Sequence, residues 1–163
     1  MELKNYSQDD LWLTQALESD PVVMKDLGGP TPQETILEKH KKRLKNVEEG
    51  KVWWLVIIPK NSSRPVGTIG IWDSDINGVP VQEMGWMILP AYQGRGIATE
   101  AGLMVLERAR LEKKFKTVHA LASSENGASN AVCRKLGFSL IGEADISYNG
   151  PPHKHNDWAM EFA

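Results

Sequence analysis

The sequence has only one cysteine and no long apolar run, and both features limit the class of protein to which it can belong. The single cysteine among 163 residues is Cys133, which excludes an internal disulfide framework and indicates a reducing compartment. No apolar run approaches the roughly 18 residues that a membrane span needs, and the N-terminal segment lacks the apolar centre of a signal peptide. We therefore expect a soluble, cytoplasmic protein.

An excess of charge of one sign is also lacking. Nineteen basic and twenty-one acidic residues give a formal net charge of −2, so the clustered positive charge that binds a phosphate backbone is missing and nucleic acid is not an expected partner. The basic run Lys39–Lys45 is diluted by neighbouring glutamates, which favours a solvated helix face, with His40 on the surface. The length fits a single domain spanning residues 1–163.

The first half predicts two helices and three strands. Ser7 with Asp10 is typical of a helix start, and Thr31–Glu34 reads as a capping box that opens a polar helix ending near Val47. Asn77-Gly78 is a hairpin signal because both residues tolerate positive φ. The predicted strands, which we expect to form an antiparallel meander, span residues 52–58, 66–72 and 81–89.

The second half predicts alternating helices and strands. The helices span 96–113 and 129–136, the second stopped by Gly137 as a left-handed cap, and the strands span 117–122, 138–146 and 158–162. The apolar residues expected on one face of the first of these helices are Ile97, Ala101, Met104, Val105 and Leu111. The whole order, β-α-α-β-β-β-α-β-α-β-β, indicates a mixed α/β fold.

The segment Leu89–Thr99 is the most informative stretch. A strand ends at Leu89, and Gly94 and Gly96 then open a helix whose first N–H groups, with the helix dipole, suit a phosphate or pyrophosphate. The alternative is a simple glycine-rich turn between a strand and a helix. A Walker A loop is excluded because no Gly-Lys-Ser/Thr follows, and Thr99 stands where a dinucleotide fingerprint has its third glycine.

Two linked motifs resemble one known family. The first, Gln93–Ala98, matches the Q/R-x-x-G-x-G/A signature of the GNAT N-acetyltransferase superfamily, and Glu83–Pro90 before it looks like the fourth strand of that family. The second, Asn126–Phe138, resembles the N-x-x-S…K-L-G-F segment of the RimJ/RimL-type branch. The resemblance implies a mostly antiparallel sheet of about six to seven strands, flanked by helices, with the fourth and fifth strands splayed apart.

In that family acetyl-CoA lies between the splayed strands as a co-substrate, and no metal is needed. The resemblance implies that backbone amides of Gln93–Thr99 hold the pyrophosphate and that the backbone of Met87–Leu89 pairs with the pantetheine arm. Asn126 is the expected side-chain contact to pantetheine, with Arg134 as a weaker candidate. The implied cofactor-binding residues are Met87, Ile88, Leu89, Gln93, Gly94, Arg95, Gly96, Ile97, Ala98, Thr99, Asn126 and Arg134.

The implied reaction is direct attack of an amine on the thioester, and it needs a neutral amine. Glu83 is the candidate base, with an ordinary polar strand residue as the alternative. Many relatives place a proton-donating tyrosine where this chain has Cys133. A thiol can protonate a thiolate, but a core residue is the alternative reading for Cys133. Ser129 is a substitute donor, and otherwise the N-cap of its helix.

The sequence leaves the acceptor open. A protein N-terminus or a small amine fits an N-acetyltransferase, and a catalytically inactive CoA-binding sensor is the alternative function. His153, His155 and Asp157 stand at alternate positions in a segment that favours a solvated loop over a metal site. Trp72 and Trp86 lie closest to the predicted cleft and are candidates for an apolar wall beside the acceptor.

Overall fold

The chain alternates between helices and strands along its whole length. The computed structural model describes residues 1–163. Its main elements are β1 (Glu2–Asn5), α1 (Leu11–Glu18), α2 (Gln33–Glu48), β2 (Trp53–Ile58), β3 (Gly67–Ile76), β4 (Val79–Ile88), α3 (Ile97–Glu112), β5 (Thr117–Ser123), α4 (Gly127–Leu136), β6 (Ser139–Ile146) and β7 (His153–Glu161). This order of helices and strands is the predicted one.

All seven strands belong to one sheet with the order β1-β2-β3-β4-β5-β7-β6. Neighbouring strands run antiparallel except β4 and β5, which are parallel and pair only at Glu83 and His119. The rest of β4, up to Ile88, therefore lacks a strand partner on its β5 side. The predicted fold, a mostly antiparallel sheet with splayed fourth and fifth strands, is confirmed.

The predicted meander and its hairpin are also confirmed. Asn77 and Gly78 take positive φ of 51° and 82°, and β3 pairs with β4 continuously from Gly67 opposite Ile88 to the turn itself. Both strands reach further towards the turn than the sequence indicated, because a two-residue turn of this kind matches the strand twist and lets pairing continue up to it.

The sheet buries side chains on both faces. A main core of 18 buried residues lies between the sheet and helices α3 and α4, and a smaller cluster lies against α1. Because successive strand residues point to opposite faces, Trp53 enters the main core, where its ring meets Phe115 edge-on at 4.9 Å between centroids. Trp54 packs against the smaller cluster.

The predicted capping box at the start of α2 is wrong. The helix begins at Gln33, and Pro32 at its N-cap provides no side-chain hydrogen bond. Thr31 is buried elsewhere, since its Oγ1 accepts a 2.7 Å hydrogen bond from Nδ2 of Asn149. The Thr31 hydroxyl, which the capping-box prediction placed on the first N–H groups of α2, thus accepts from a residue 118 positions away.

The predicted apolar face of α3 is partly wrong. Met104 and Leu111 are 39% and 73% exposed, whereas the helix buries a stripe of smaller side chains. A β-carbon at Gly102 would come within 2.7 Å of a methyl group of Leu136, so α3 packs closely on α4 at this glycine. This close approach turns the small-residue face inward. The buried residues are Ala101, Gly102, Val105, Leu106 and Ala109.

The surface position predicted for His40 is wrong. Its side chain is buried, and Nδ1 shares a 2.6 Å hydrogen bond with the hydroxyl of Tyr6. The same hydroxyl lies 2.6 Å from Oγ1 of Thr14. The basic helix therefore has a buried polar side as well as a solvated one.

The solvated loop predicted around His153 is also wrong, because this segment is part of β7 and pairs with both β5 and β6. His155 is fully buried and its Nδ1 lies 3.0 Å from the carbonyl oxygen of His153. Asp157 pairs with His119 at 2.8 Å. No group of three such side chains in the molecule is arranged to hold a metal ion.

Candidate active site

The divergence of β4 from β5 opens a cleft of about 950 Å³. One end is formed by β4, the start of α3, the end of β5 and α4, and the other end reaches α1 and α2. Most of the site residues proposed from the sequence line it. These are Glu83, Met87, Ile88, Gln93, Gly94, Gly96, Ile97, Ala98, Thr99, Asn126 and Ser129.

The glycine loop forms an open cradle at one end of the cleft. Gly94 and Gly96 take left-handed φ of 73° and 76°, and a β-carbon at either position would meet no atom within 4 Å. Gly96 is the N-cap of α3 and offers no side chain to the first N–H groups of this helix. Open space above unpaired amides at a helix N-terminus is the arrangement that binds a pyrophosphate.

The free edge of β4 presents alternate backbone groups to the cleft. The carbonyl of Met87 faces Gly67 of β3, because a β-carbon on Gly67 would collide with it. Backbone groups of an antiparallel strand alternate in direction, so those of Trp86 and Ile88 face the cleft instead. The predicted pairing of the Met87 backbone with pantetheine is therefore wrong. The Ile88 carbonyl accepts a 2.9 Å hydrogen bond from Nε2 of Gln93. The Ile88 N–H and both groups of Trp86 thus point towards a ligand.

Three of the predicted cofactor-binding residues do not line the cleft. Leu89 has no free backbone group: its N–H donates to Val66 and its carbonyl accepts from Tyr92, both at 2.9 Å. Arg95 extends over the Tyr92 ring at 5.3 Å. Arg134 lies over the Trp158 ring at 5.4 Å and is exposed.

Glu83 lies at the point where β4 and β5 part. Its side chain is 5% exposed, and Oε1 accepts a 2.8 Å hydrogen bond from the hydroxyl of Tyr148. Burial raises the pKa of Glu83 above its ordinary value, although the Tyr148, Ser74 and Trp72 side chains favour the charged form and oppose the rise. A carboxylate with a raised pKa is a stronger base, which suits proton removal from an amine.

Tyr148 is a site residue that the sequence reasoning missed. It lies in the loop between β6 and β7 and lines the cleft beside Glu83. Burial and the neighbouring carboxylate raise the pKa of Tyr148, so its hydroxyl stays protonated at neutral pH. The only signal in the sequence was an aromatic residue within a Gly- and Pro-rich segment, which gives no hint of a contact 65 residues away.

The same loop is fastened to the segment before α2, and we call these two segments (residues 26–31 and 147–153) the clasp. Asn149 donates from Nδ2 to the Gly29 carbonyl at 3.1 Å, and from its backbone N–H to Leu27 at 3.1 Å. Gly28, with φ of 86°, lies so close to Gly150 that a β-carbon would approach its nitrogen to 2.7 Å. The clasp holds Tyr148 over the cleft.

Cys133 is placed in the main core and does not line the cleft. Its side chain is fully buried, and burial raises the pKa of the thiol to about 12. A thiol enclosed in the core, with no access to the cleft, cannot reach a CoA thiolate to protonate it. The position of Cys133 supports the interpretation that it is a core residue.

Asn126 and Asn130 organise the start of α4. Asn126 is the N-cap, since its Oδ1 accepts from the Ser129 N–H at 3.0 Å, so the alternative that Ser129 is the cap is wrong. Asn130 is buried, donates to the Ser123 and Asn126 carbonyls, and accepts from Trp158 Nε1 at 2.8 Å. This second asparagine, missed from the sequence, ties the end of β5 to α4 and β7.

Tryptophan rings form the floor of the cleft on the side of α2. The Trp72 ring lies over Gly85, where a β-carbon would come within 2.6 Å of it, and its centroid lies 4.8 Å from that of Trp54. Trp86 also lines the cleft. Trp72 thus lies on the α2 side of the sheet, whereas Trp86 pairs with Ile69 and packs against the main core on the opposite face. The two rings do not share one side of the sheet, and an apolar wall beside the acceptor stays a prediction for Trp72 alone.

Comparison with known proteins identifies the family. The family model described as "Acetyltransferase (GNAT) domain" matches residues 1–139. The chain belongs to the GNAT acetyltransferase family. The resemblance found in the two sequence motifs is thereby confirmed, as is acetyl-CoA as the co-substrate that this family uses.

A GNAT relative of similar sequence is the "Uncharacterized N-acetyltransferase YnaD" of Bacillus subtilis. It is 31% identical over 85 residues, which are 52% of this chain and 48% of that protein. The match thus spans about half the length of this curated relative.

Solved GNAT structures share the fold across nearly the whole chain. The RimJ structure from Mycobacterium smegmatis, in complex with CoA-disulfide, has a TM-score of 0.78 at 18% identity and covers 98% of this chain and 80% of its own. Spermidine N-acetyltransferase from Vibrio cholerae, in complex with CoA and spermine, has a TM-score of 0.79 at 17% identity, with coverages of 98% and 94%. In this chain, no helix combines the length and apolar character that a membrane crossing needs.

Proposed function

We propose that the protein transfers an acetyl group from acetyl-CoA to a primary amine by direct attack of the amine on the thioester. The observation that carries this proposal is one continuous cleft, with an open glycine cradle at one end and buried Glu83, hydrogen-bonded to Tyr148, at the parting of β4 and β5. A cytoplasmic location is part of the proposal, supported by the one free, buried cysteine, Cys133.

The glycine cradle binds the pyrophosphate of acetyl-CoA. Amides from Gln93 to Thr99 lie at the N-terminus of α3, where the helix dipole favours an anion. The Nδ2 group of Asn126 is free to contact pantetheine, because its Oδ1 caps α4. Binding here leaves the thioester beside the free edge of β4.

The cleft-facing N–H groups of β4 stabilise the reacting carbonyl. The N–H groups of Trp86 and Ile88 point away from β3 and have no strand opposite them. Attack on the thioester places negative charge on its oxygen, and a fixed N–H donor lowers the energy of that intermediate. The pantetheine arm completes the hydrogen bonding of this strand edge.

Glu83 removes a proton from the amine. A lysine-like amine has a pKa of about 10.4 and is protonated at neutral pH, whereas an α-amine with a pKa of about 7.7 is partly neutral. Only the neutral form attacks, so a base beside the amine raises the reactive fraction. The raised pKa of Glu83 strengthens it for this role.

Tyr148 takes the proton-donor role proposed from the sequence for Cys133. As the C–N bond forms and the C–S bond breaks, the proton leaves nitrogen for Glu83, and the departing thiolate receives one from the Tyr148 hydroxyl. The hydrogen bond of 2.8 Å between the two residues lets Glu83 return the proton to Tyr148. Ser129, which lines the cleft, is the second candidate donor.

The acceptor is a protein N-terminus or a small amine. The name of spermidine N-acetyltransferase, whose structure shares this fold, points to a small amine. The resemblance of Asn126–Phe138 to the RimJ/RimL-type branch points to a protein N-terminus. A panel of peptides and small amines, with release of the CoA thiol as the readout, tests the reaction. Acetyl-CoA binding without thiol release from any acceptor would favour the inactive sensor instead.

Cofactor binding is tested by Gly96→Val and its matched control Gly78→Val. Both glycines have positive φ and open space around the β-carbon, so the backbone strain is comparable, but only Gly96 lines the cleft. Calorimetry should show micromolar acetyl-CoA binding that Gly96→Val abolishes and Gly78→Val retains. Unchanged affinity in Gly96→Val would exclude the loop as the cofactor site.

A further inference from the structure

One face of α2 lines the cleft beyond Glu83, and most of its side chains are cationic. The spacing of three and four residues places them on the same side of the helix. The residues of this face, which we call the α2 face, are Lys39, Lys42, Arg43 and Asn46. Lys41 belongs to the same basic run but does not line the cleft.

A buried carboxylate fixes part of the α2 face. Glu18 is 2% exposed, and its two oxygens accept from Arg43 Nη1 at 2.7 Å and Lys39 Nζ at 3.1 Å. One carboxylate thus faces two cations, which leaves one positive charge unbalanced. Lys42 forms no ion pair with any acidic residue of the chain, so its charge is also free for a ligand.

An aromatic floor connects the α2 face with the proposed base. The Arg43 guanidinium lies 4.1 Å above the centroid of the Trp54 ring, and the Trp54 ring lies 4.8 Å from that of Trp72. Trp72 in turn covers Gly85, two residues along β4 from Glu83. A molecule whose amine lies at Glu83 can therefore extend along this floor towards Lys42 and Arg43.

Two other acidic residues line the cleft, Asp73 and Asp26, and neither neutralises the positive charge of the α2 face. Strand alternation turns Asp73 to the opposite face of the sheet from Trp72, and it accepts a hydrogen bond from the Gln82 side chain. Asp26 belongs to the clasp, where its carboxylate acts on buried His155 and partly opposes the lowering of the pKa of that ring. The floor thus leads from a carboxylate at one end to unbalanced cations at the other.

We propose that the acceptor amine carries a carboxylate or another anionic group, which Lys42 and Arg43 bind while the amine lies at Glu83. This inference rests on the proposed function in taking this part of the cleft as the acceptor site. A polycationic amine would place a second ammonium group against the α2 face and is disfavoured. The anionic group can belong to a small molecule or to an acidic residue near a peptide N-terminus.

Binding to the CoA-saturated protein tests this proposal without requiring turnover. The small probes are 4-aminobutyrate and 1,4-diaminobutane, which have similar length but differ in the charge opposite the amine. The peptide probes are Ser-Glu-Glu-Ala and Ser-Lys-Lys-Ala as C-terminal amides. Tryptophan fluorescence from the floor reports binding. We expect the anionic member of at least one pair to bind about tenfold tighter, with the preference weakening in salt.

Lys42→Glu and Lys41→Glu form a matched pair of variants. Both reverse the charge of an exposed lysine on α2, but only Lys42 lines the cleft. We expect Lys42→Glu to remove or invert the preference and Lys41→Glu to retain it. If both variants lost the preference for anionic probes equally, the preference would come from the overall positive charge of α2 and not from a binding site. That result would overturn the proposal.

The outcomes separate this inference from the proposed function. Equal affinity for both members of each pair, or tighter binding of the cationic member, overturns the anionic acceptor. A preference for anionic probes with no thiol release from any of them upholds the binding site but contradicts the transferase reaction. Preference within the peptide pair alone identifies a protein acceptor, and preference within the small pair alone identifies a small molecule.

Discussion

The hydrogen bond between Tyr148 and Glu83 connects two residues that nothing in the local sequence relates. Glu83 was recognisable because it lies in a strand next to a family signature, and a carboxylate there suits an amine substrate. Tyr148 lies in a loop with no helical or strand pattern. Its role depends on the clasp, which brings residues 147–153 over β4.

The pairing predicts a pH dependence for Tyr148→Phe. The Tyr148 hydroxyl lowers the pKa of Glu83 against the larger effect of burial, so its loss should raise that pKa further. Because the proposed base is the carboxylate form of Glu83, the acidic limb of kcat should move to higher pH, and kcat itself should fall. Profiles at saturating acceptor between pH 5 and 9 measure both effects.

Glu83→Gln is the companion variant. It should lose most of the activity, because one general base typically contributes 10²- to 10⁴-fold, and it should show no limb that depends on this carboxyl. An acidic limb that stays in place in Tyr148→Phe and persists in Glu83→Gln would show that another group is the base.

At the scale of elements, the predictions for α3 and α4 show that apolar periodicity gives the bounds of a helix but not the face that it buries. The bounds of α3 and α4 agree with the predicted ones to within two residues. The inward face of α3 did not follow from hydrophobicity, because Gly102 lets α4 approach and buries small residues while Leu111 remains exposed. Periodicity locates a helix, whereas its neighbour decides which face is covered.

The contact between β3 and β4 at Gly85 carries a prediction for Gly85→Ala. The added methyl group would collide with the Trp72 ring, so we expect a loss of about 1–3 kcal/mol in the free energy of unfolding. Displacement of the ring should also raise KM for the acceptor several-fold, while the Kd for acetyl-CoA stays unchanged.

Gly142→Ala in β6 is the control for this variant. A β-carbon there meets nothing within 4 Å, and its effect on stability should stay within about 0.5 kcal/mol. Urea unfolding and acceptor kinetics on both variants give the comparison. Wild-type acceptor KM in a folded Gly85→Ala variant would remove Trp72 from the acceptor site.

At the scale of the whole molecule, two buried histidines predict sensitivity to acid. Burial lowers the pKa of His40 and of His155 below the ordinary value near 6.5. The unfolded chain therefore binds more protons than the folded one below about pH 6.5. The contribution of these two histidines to stability should be constant above that pH and decline as the pH falls, by at most about 1.4 kcal/mol per pH unit for each histidine.

Urea unfolding at pH 7.5 and at pH 5.5 measures this decline. His155→Asn and His40→Asn should each show a smaller difference between the two pH values than the wild type, whatever their stability at pH 7.5. The same difference in both variants as in the wild type would show that other groups cause the sensitivity to acid.

The sequence by itself determined the order of the elements, the glycine cradle and the family, because these depend on local patterns and contiguous motifs. The splayed sheet was expected only from the family resemblance. Only the tertiary structure decided the partner of Glu83, the burial of His40 and His155, and the α2 face along the cleft. Those features join segments that are far apart in the chain, and no local pattern specifies which side chains will meet. The formal net charge of −2 likewise does not reveal that the cleft has a carboxylate at one end and cations at the other. A net charge counts the charged residues but does not say where the fold places them.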